Sequence, residues 1–180
     1  YQQMKLAFDK GIQKMWILNV GDIKPAEYLI ELYMDMAWNL DAVADEGLDA
    51  HLCKFLKREF GGEIADSLLP VMKEYYRLAY IRKPEFMGNT REEDKSHYRI
   101  IKDLPWSESY IRERLNLYQE LSDRVEAIAG GIPERKQDTY FQLIKYPVQA
   151  SDQMNQKLLK AQLARHGKAD CCLLYTSDAA

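Results

Sequence analysis

Lys14-Met-Trp-Ile-Leu-Asn-Val-Gly-Asp-Ile-Lys-Pro-Ala-Glu-Tyr-Leu-Ile-Glu-Leu-Tyr-Met-Asp-Met-Ala-Trp-Asn39 decides the fold. Met15-Trp-Ile-Leu is a continuous apolar run too short for a helix. Such a run suits a strand buried on both faces, as in a parallel sheet. A polar turn, Asn19-Val-Gly-Asp, follows, and Pro25 stands where helices begin because its fixed φ suits a first turn. From Ala26 to Trp38 the residues Leu29, Ile30, Leu32, Tyr33, Met36 and Ala37 predict a broad apolar helix face. Residues 1–12 read as a helix stopped near Gly11. The order helix, strand, helix is a piece of βα architecture. A parallel strand without neighbours leaves its backbone groups unpaired. The start at Tyr1 rather than Met therefore suggests chain upstream.

After Asn39 the alternation stops. Residues 39–47 read as a polar connector. Leu48–Phe60 predicts a helix ended by Gly61-Gly62, and Ile64–Arg82 predicts another, with Pro70 kinking or breaking it. Residues 85–106 read as irregular and polar, including the charge run Arg91 to Lys95. Ser107 is a candidate N-cap for a helix over Tyr110–Ala129. Two further helices are expected over Pro133–Tyr146 and Val148–His166. The last carries Met154, Leu158, Leu159, Ala161 and Leu163 inside. The fold class is thus mainly α: a helical bundle over residues 40–170, preceded over residues 1–39 by a terminal helix-strand-helix piece of βα architecture. Cys172 to Ala180 has no periodic relation to the preceding helix and matches a translated sequencing adapter. Residues 171–180 are accordingly expected to be an artefact, with Cys171 overlapping its edge.

The 180 residues, 47% hydrophobic and 29% charged, suit a chain that can bury a core. A net charge of −3 argues against a nucleic-acid footprint, which needs a strong basic patch. No apolar run approaches the ~20 residues of a membrane span. Cys53 alone forms no disulfide framework, and His51, His97 and His166 lack metal-ligand spacing. Neither a metal nor a cofactor is expected.

Three ordered motifs resemble one family. Trp16-Ile-Leu-Asn-Val-Gly-Asp-Ile-Lys-Pro with its following helix, Tyr76-Arg-Leu-Ala-Tyr-Ile-Arg-Lys-Pro-Glu-Phe-Met87, and Tyr140-Phe-Gln-Leu-Ile-Lys-Tyr-Pro-Val148 are similar to glycoside hydrolase family 115. These are α-glucuronidases that remove (4-O-methyl)glucuronic acid from xylan. The resemblance implies that residues 1–39 are the closing helix-strand-helix piece of a (β/α)8-type catalytic barrel and that the rest is the helical domain beside it. It implies an inverting hydrolase acting on glucuronoxylan or xylo-oligosaccharides. A homodimer of the parent and a periplasmic or secreted location follow from the same analogy.

Barrel enzymes carry their chemistry on the loops after strands. Asn19 offers a carboxamide to a sugar hydroxyl or a water, and Gly21 permits the turn. Asp22 is the candidate catalytic carboxylate. Lys24 offers positive charge to a uronate. Trp38 and Asn39 are candidate cleft residues, and Tyr76 and Arg82 a candidate sugar and carboxylate contact. The alternative for Asp22 and Lys24 is a mutual pair that folds the turn. For Tyr76 and Arg82 it is core packing and helix-end charge. Inverting chemistry needs two carboxyl groups roughly 6.5–9.5 Å apart. This stretch offers one at a strand end, so the chain by itself is expected to be inactive. The competing class is a non-enzymatic helical interaction or oligomerisation module. A helical Met15–Val20 would favour it.

Overall fold

The computed structural model describes residues 1–21, 23–87 and 103–168. The charge run Arg91 to Lys95, His97 and residues 171–180 lie outside that description. The described residues form two compact units. One comprises residues 1–70 and 131–144, the other 71–130 and the chain from residue 145 onward.

The first unit opens with α1 (Gln2–Asp9), which ends at Lys10 before Gly11 at φ 91°. The next helix, α2 (Glu27–Trp38), starts two residues after Pro25 rather than at it. Its buried residues are Tyr28, Leu32 and Met36, a stripe narrower than the sequence suggests. Leu29, expected inside, is about half exposed. Residues 39–47 are not a connector: α3 (Leu40–Glu46) forms there. The Asn39 side chain accepts from the Ala42 N–H at 3.0 Å, satisfying one of the donors orphaned at a helix start. Leu40 and Val43, three residues apart, are its buried pair. α4 (Leu48–Phe60) buries Leu52, Phe55, Leu56 and Phe60 and stops at Gly61, φ 89°. Tyr28 sits 5.2 Å from the Phe55 ring and 5.8 Å from His51. Burial pushes its hydroxyl pKa up. His51 Nε2 lies 3.0 Å from the Asp35 carboxylate. Arg58 forks onto Glu31 at 2.8 and 2.6 Å, tying α4 to α2. Phe60 meets Tyr140 edge-on at 5.8 Å.

Met15–Leu18 is neither helix nor paired strand. The expected burial on both faces is absent, with Met15 and Ile17 exposed. No strand is present among the described residues, so the run has no ladder to join. Trp16 holds the segment instead. Its Nε1 donates to the Ile12 carbonyl at 2.7 Å, and its ring meets Phe8 and Tyr33.

α5 (Gly62–Ile81) contains Pro70, and the two units divide directly after it. Pro70 has no N–H for the Asp66 carbonyl, which weakens the ladder at that point.

The second unit pairs α6 (Glu108–Ala129) with α8 (Tyr146–Arg165). Ser107 caps α6 as expected, its hydroxyl accepting from the Tyr110 N–H at 3.2 Å. Met87, Leu104, Ile111, Leu115, Leu159 and Leu163 make one apolar cluster. The inner face of α8 differs from expectation. Ser151, Asp152, Asn155 and Gln162 are buried alongside Leu159 and Leu163, while Met154 is exposed. Gln162 accounts for itself by bonding both the N–H and the carbonyl of Leu104, at 2.9 and 2.8 Å. Arg114 of α6 is 1% exposed. Its guanidinium donates to Asn155 Oδ1 (2.8 Å), to the Leu78 carbonyl (3.3 Å) and to the Arg82 carbonyl (3.0 Å). It also lies 5.2 Å from the Trp106 ring and 5.1 Å from Tyr118. The Leu78 and Arg82 carbonyls at the end of α5 thus receive a buried cation, which complements the negative end of the helix dipole. Burial pulls the Arg114 pKa down and pushes Tyr118 up to about 12.

Residues 133–146 are not one regular helix. A 3-10 turn (Glu134–Lys136), a one-turn α7 (Gln137–Tyr140) and a π turn (Phe141–Lys145) succeed one another. Pro147 cannot donate to the Leu143 carbonyl, so the α pattern cannot run through this point unaltered.

Candidate functional site

The turn after Met15–Leu18 is an exposed feature of the first unit. Asn19 Oδ1 accepts from the Gly21 N–H at 3.4 Å, a weak Asx-type closure. Gly21 has φ 61°, in the left-handed region where a side chain is strained. Asp22 lies outside the described residues. The Ala26 N–H then closes onto the Ile23 carbonyl at 2.7 Å before α2 begins.

Lys24 does not end in bulk water. Its Nζ donates to Gln142 Oε1 at 2.8 Å. The Gln142 amide in turn donates through Nε2 to Glu27 Oε1. One neutral side chain therefore bridges a cation and an anion, using the donor and the acceptor that only an amide combines. Glu27 is half-buried, and its second oxygen is buried without a hydrogen-bond partner. Gln142 lies in the π turn, 118 residues from Lys24. The first and third sequence motifs thus meet in space. Sequence reading misses Gln142 and leaves Glu27 as a solvated or structural carboxylate on the helix after the turn. The one available signal was Pro147, which marks an irregular backbone just past Gln142.

Trp38 and Asn39 line a cleft of about 320 Å³ together with Phe8, Lys14, Met15 and Trp16. Trp38 is 91% exposed, its indole offered to whatever occupies that side. Asn39 also spends its side-chain oxygen on the α3 cap. Asn19, Gly21 and Lys24 are not among the cleft's lining residues.

Tyr76 and Arg82 belong to the second unit. The Tyr76 ring lies 5.3 Å from Tyr75. Arg82 donates to the Phe86 carbonyl through Nε (3.0 Å) and Nη2 (2.5 Å), which folds the chain after α5. Among the described residues no group of His, Cys, Asp and Glu could hold a metal ion.

Residues 1–86 match the family model described as glycosyl hydrolase family 115. The chain is 66% identical, over 99% of its length and with a TM-score of 0.90, to a solved structure described as a novel family GH115 4-O-methyl-α-glucuronidase with specificity for decorated arabinogalactans. It spans 23% of that chain. No curated protein matches it.

Proposed function

Because this chain belongs to glycoside hydrolase family 115, we propose that it supplies a substrate-binding loop and the adjoining helical region of an α-glucuronidase. The whole enzyme would remove (4-O-methyl)glucuronic acid side groups from a plant polysaccharide by an inverting hydrolysis. The observation that carries this reading is the 66% identity across 99% of the chain.

The residues fit a contributory role. Asn19 is exposed on a loop closed at Gly21, and its amide can donate to a sugar oxygen while accepting from a hydroxyl. The Lys24 ammonium bonds a neutral amide and not a carboxylate. That charge beside the start of α2 favours a bound uronate carboxylate. The exposed face of Trp38 suits stacking on a sugar ring. In this reading Asp22 is one of the two carboxyl groups that inversion requires, and the second lies on another part of the enzyme. Glucuronoxylan is the substrate expected from the sequence. The arabinogalactan named for the relative is its competitor. Periplasmic or secreted location, and a homodimeric parent, belong to the same proposal.

The test is a hybrid enzyme, in which residues 1–168 replace the matching segment of the arabinogalactan-specific relative. Release of 4-O-methylglucuronic acid from decorated arabinogalactan and from glucuronoxylan is then measured by anion-exchange chromatography. A folded hybrid that releases uronic acid from neither polymer would overturn the proposal. The non-enzymatic reading of the bundle would gain if the isolated chain instead self-associated tightly in sedimentation.

A further inference from the structure

We propose that Gln142 is a positioning residue that sets uronate affinity by holding the Lys24 ammonium at the binding loop. This deepens the functional reading above and rests on it. Three observations carry it. Gln142 bridges Lys24 and Glu27 from a part of the chain 118 and 115 residues away. It stands in a π turn, a local distortion that re-aims side chains where a regular helix would not. Glu27 has an oxygen buried without a hydrogen-bond partner, so the Gln142 contact is what stabilises the carboxylate in place.

The choice of an amide is physically specific. A carboxylate at position 142 would accept from Lys24 but repel Glu27. A lysine would do the reverse. A leucine would serve neither. Direct contact between Lys24 and Glu27 would set a carboxylate against the cation and offset its pull on an anionic ligand. The intervening amide fixes Lys24 while leaving its charge for an anionic ligand.

Two measurements test this. In the 180-residue chain, the Ala26 N–H bonded to Ile23 reports the order of the loop. Gln142→Leu should speed its hydrogen exchange about tenfold, the scale of one hydrogen bond to a charged group. Amides within Leu48–Phe60 serve as the control and should not change. In the hybrid enzyme, Gln142→Leu should raise KM for glucuronate-capped oligosaccharides about tenfold, with kcat within about twofold. The exchanged pair Glu27→Gln with Gln142→Glu rebuilds a bridge that orders the loop but sets a carboxylate directly on Lys24, so it should restore Ala26 exchange to within about threefold and leave KM raised. A purely structural role would lower kcat and folding together, and the exchanged pair would then restore KM along with loop order.

Unchanged Ala26 exchange in Gln142→Leu overturns the inference. So does an active hybrid whose KM ignores Gln142, or a double variant whose Ala26 exchange is no slower than that of Gln142→Glu alone. An inactive unsubstituted hybrid counts against the proposed function instead. In that case the Ala26 exchange decides the bridge by itself.

Discussion

Replacing Arg114 by methionine should destabilise the second unit by about 2–4 kcal/mol. The side chain is 1% exposed, so its volume must be conserved to avoid a cavity, and methionine nearly does so. The substitution removes the guanidinium's bonds to Asn155 Oδ1 and to the Leu78 and Arg82 carbonyls, of which the Leu78 carbonyl keeps the Arg82 N–H at 3.2 Å. Each lost bond from a charged donor costs about 1.5–3 kcal/mol. Losing the cation over Trp106 and Tyr118 adds about 1 kcal/mol. Against this stands relief from holding a guanidinium away from water, worth several kcal/mol. Where a whole buried ion network is swapped for apolar residues, that relief can win. Here it cannot, because two of the acceptors are backbone carbonyls that no mutation replaces. Arg114→Lys keeps the charge but not the fork, and should fall between wild type and Arg114→Met. Trp106 adjoins the guanidinium, and the other two tryptophans, Trp16 and Trp38, lie in the first unit. With those two replaced by phenylalanine, Trp106 fluorescence follows unfolding at the site itself. At a slope of about 2 kcal/mol per molar urea, the midpoint should fall by ~1–2 M. A fall below about 0.25 M, or a rise, would refute the claim that the guanidinium is the stabilising cap of α5.

Asp152 is fully buried, and burial raises its carboxyl pKa above the usual value of 3.8. The folded state therefore binds this proton more readily than the unfolded chain, so the carboxylate lowers stability at neutral pH and the loss is recovered as pH falls through the raised pKa. Asp152→Asn should raise the urea midpoint at pH 7, and its advantage should shrink to nothing below the unfolded pKa; an advantage independent of pH would contradict this. Asn39→Ala should cost the first unit about 1 kcal/mol through loss of the α3 cap, read by thermal denaturation. Trp38→Ala should leave the melting of the isolated chain within about 0.5 kcal/mol, because 91% of the residue is already exposed. The same substitution should weaken polysaccharide binding by the hybrid enzyme, and retention of full affinity in a pull-down on insoluble substrate would remove Trp38 from the site.

Much of the helical order was legible because it is written in local chemistry. Ser107 caps α6, Gly61 ends α4, and the stripe from Ile111 through Leu115 and Tyr118 is buried as its spacing requires. α3 was hidden because Asp41, Asp45 and Glu46 make its sequence look like a loop, while two apolar residues suffice to seat one short helix. The buried polar face of α8 was hidden for the opposite reason. Ser151, Asp152, Asn155 and Gln162 repeat at helical spacing, but an apolar periodicity search passes over them. Arg114 could have been suspected, since it falls on the stripe between Ile111 and Tyr118. The Lys24–Gln142–Glu27 bridge depends on contacts across more than a hundred residues, which no local pattern encodes. Met15–Leu18 shows the limit of apolar runs as evidence for a strand. The run specifies a wish for burial, and pairing must come from another segment.

Hydrolysis by the hybrid enzyme bears most directly on the central claim, that this chain carries a working part of a family 115 glucuronidase. With residues 1–168 in place of the relative's matching segment, release of 4-O-methylglucuronic acid should stay within about tenfold of the relative's rate on its preferred polymer, while the isolated chain releases none. A folded hybrid without activity, or an isolated chain that releases the uronic acid unaided, would contradict it.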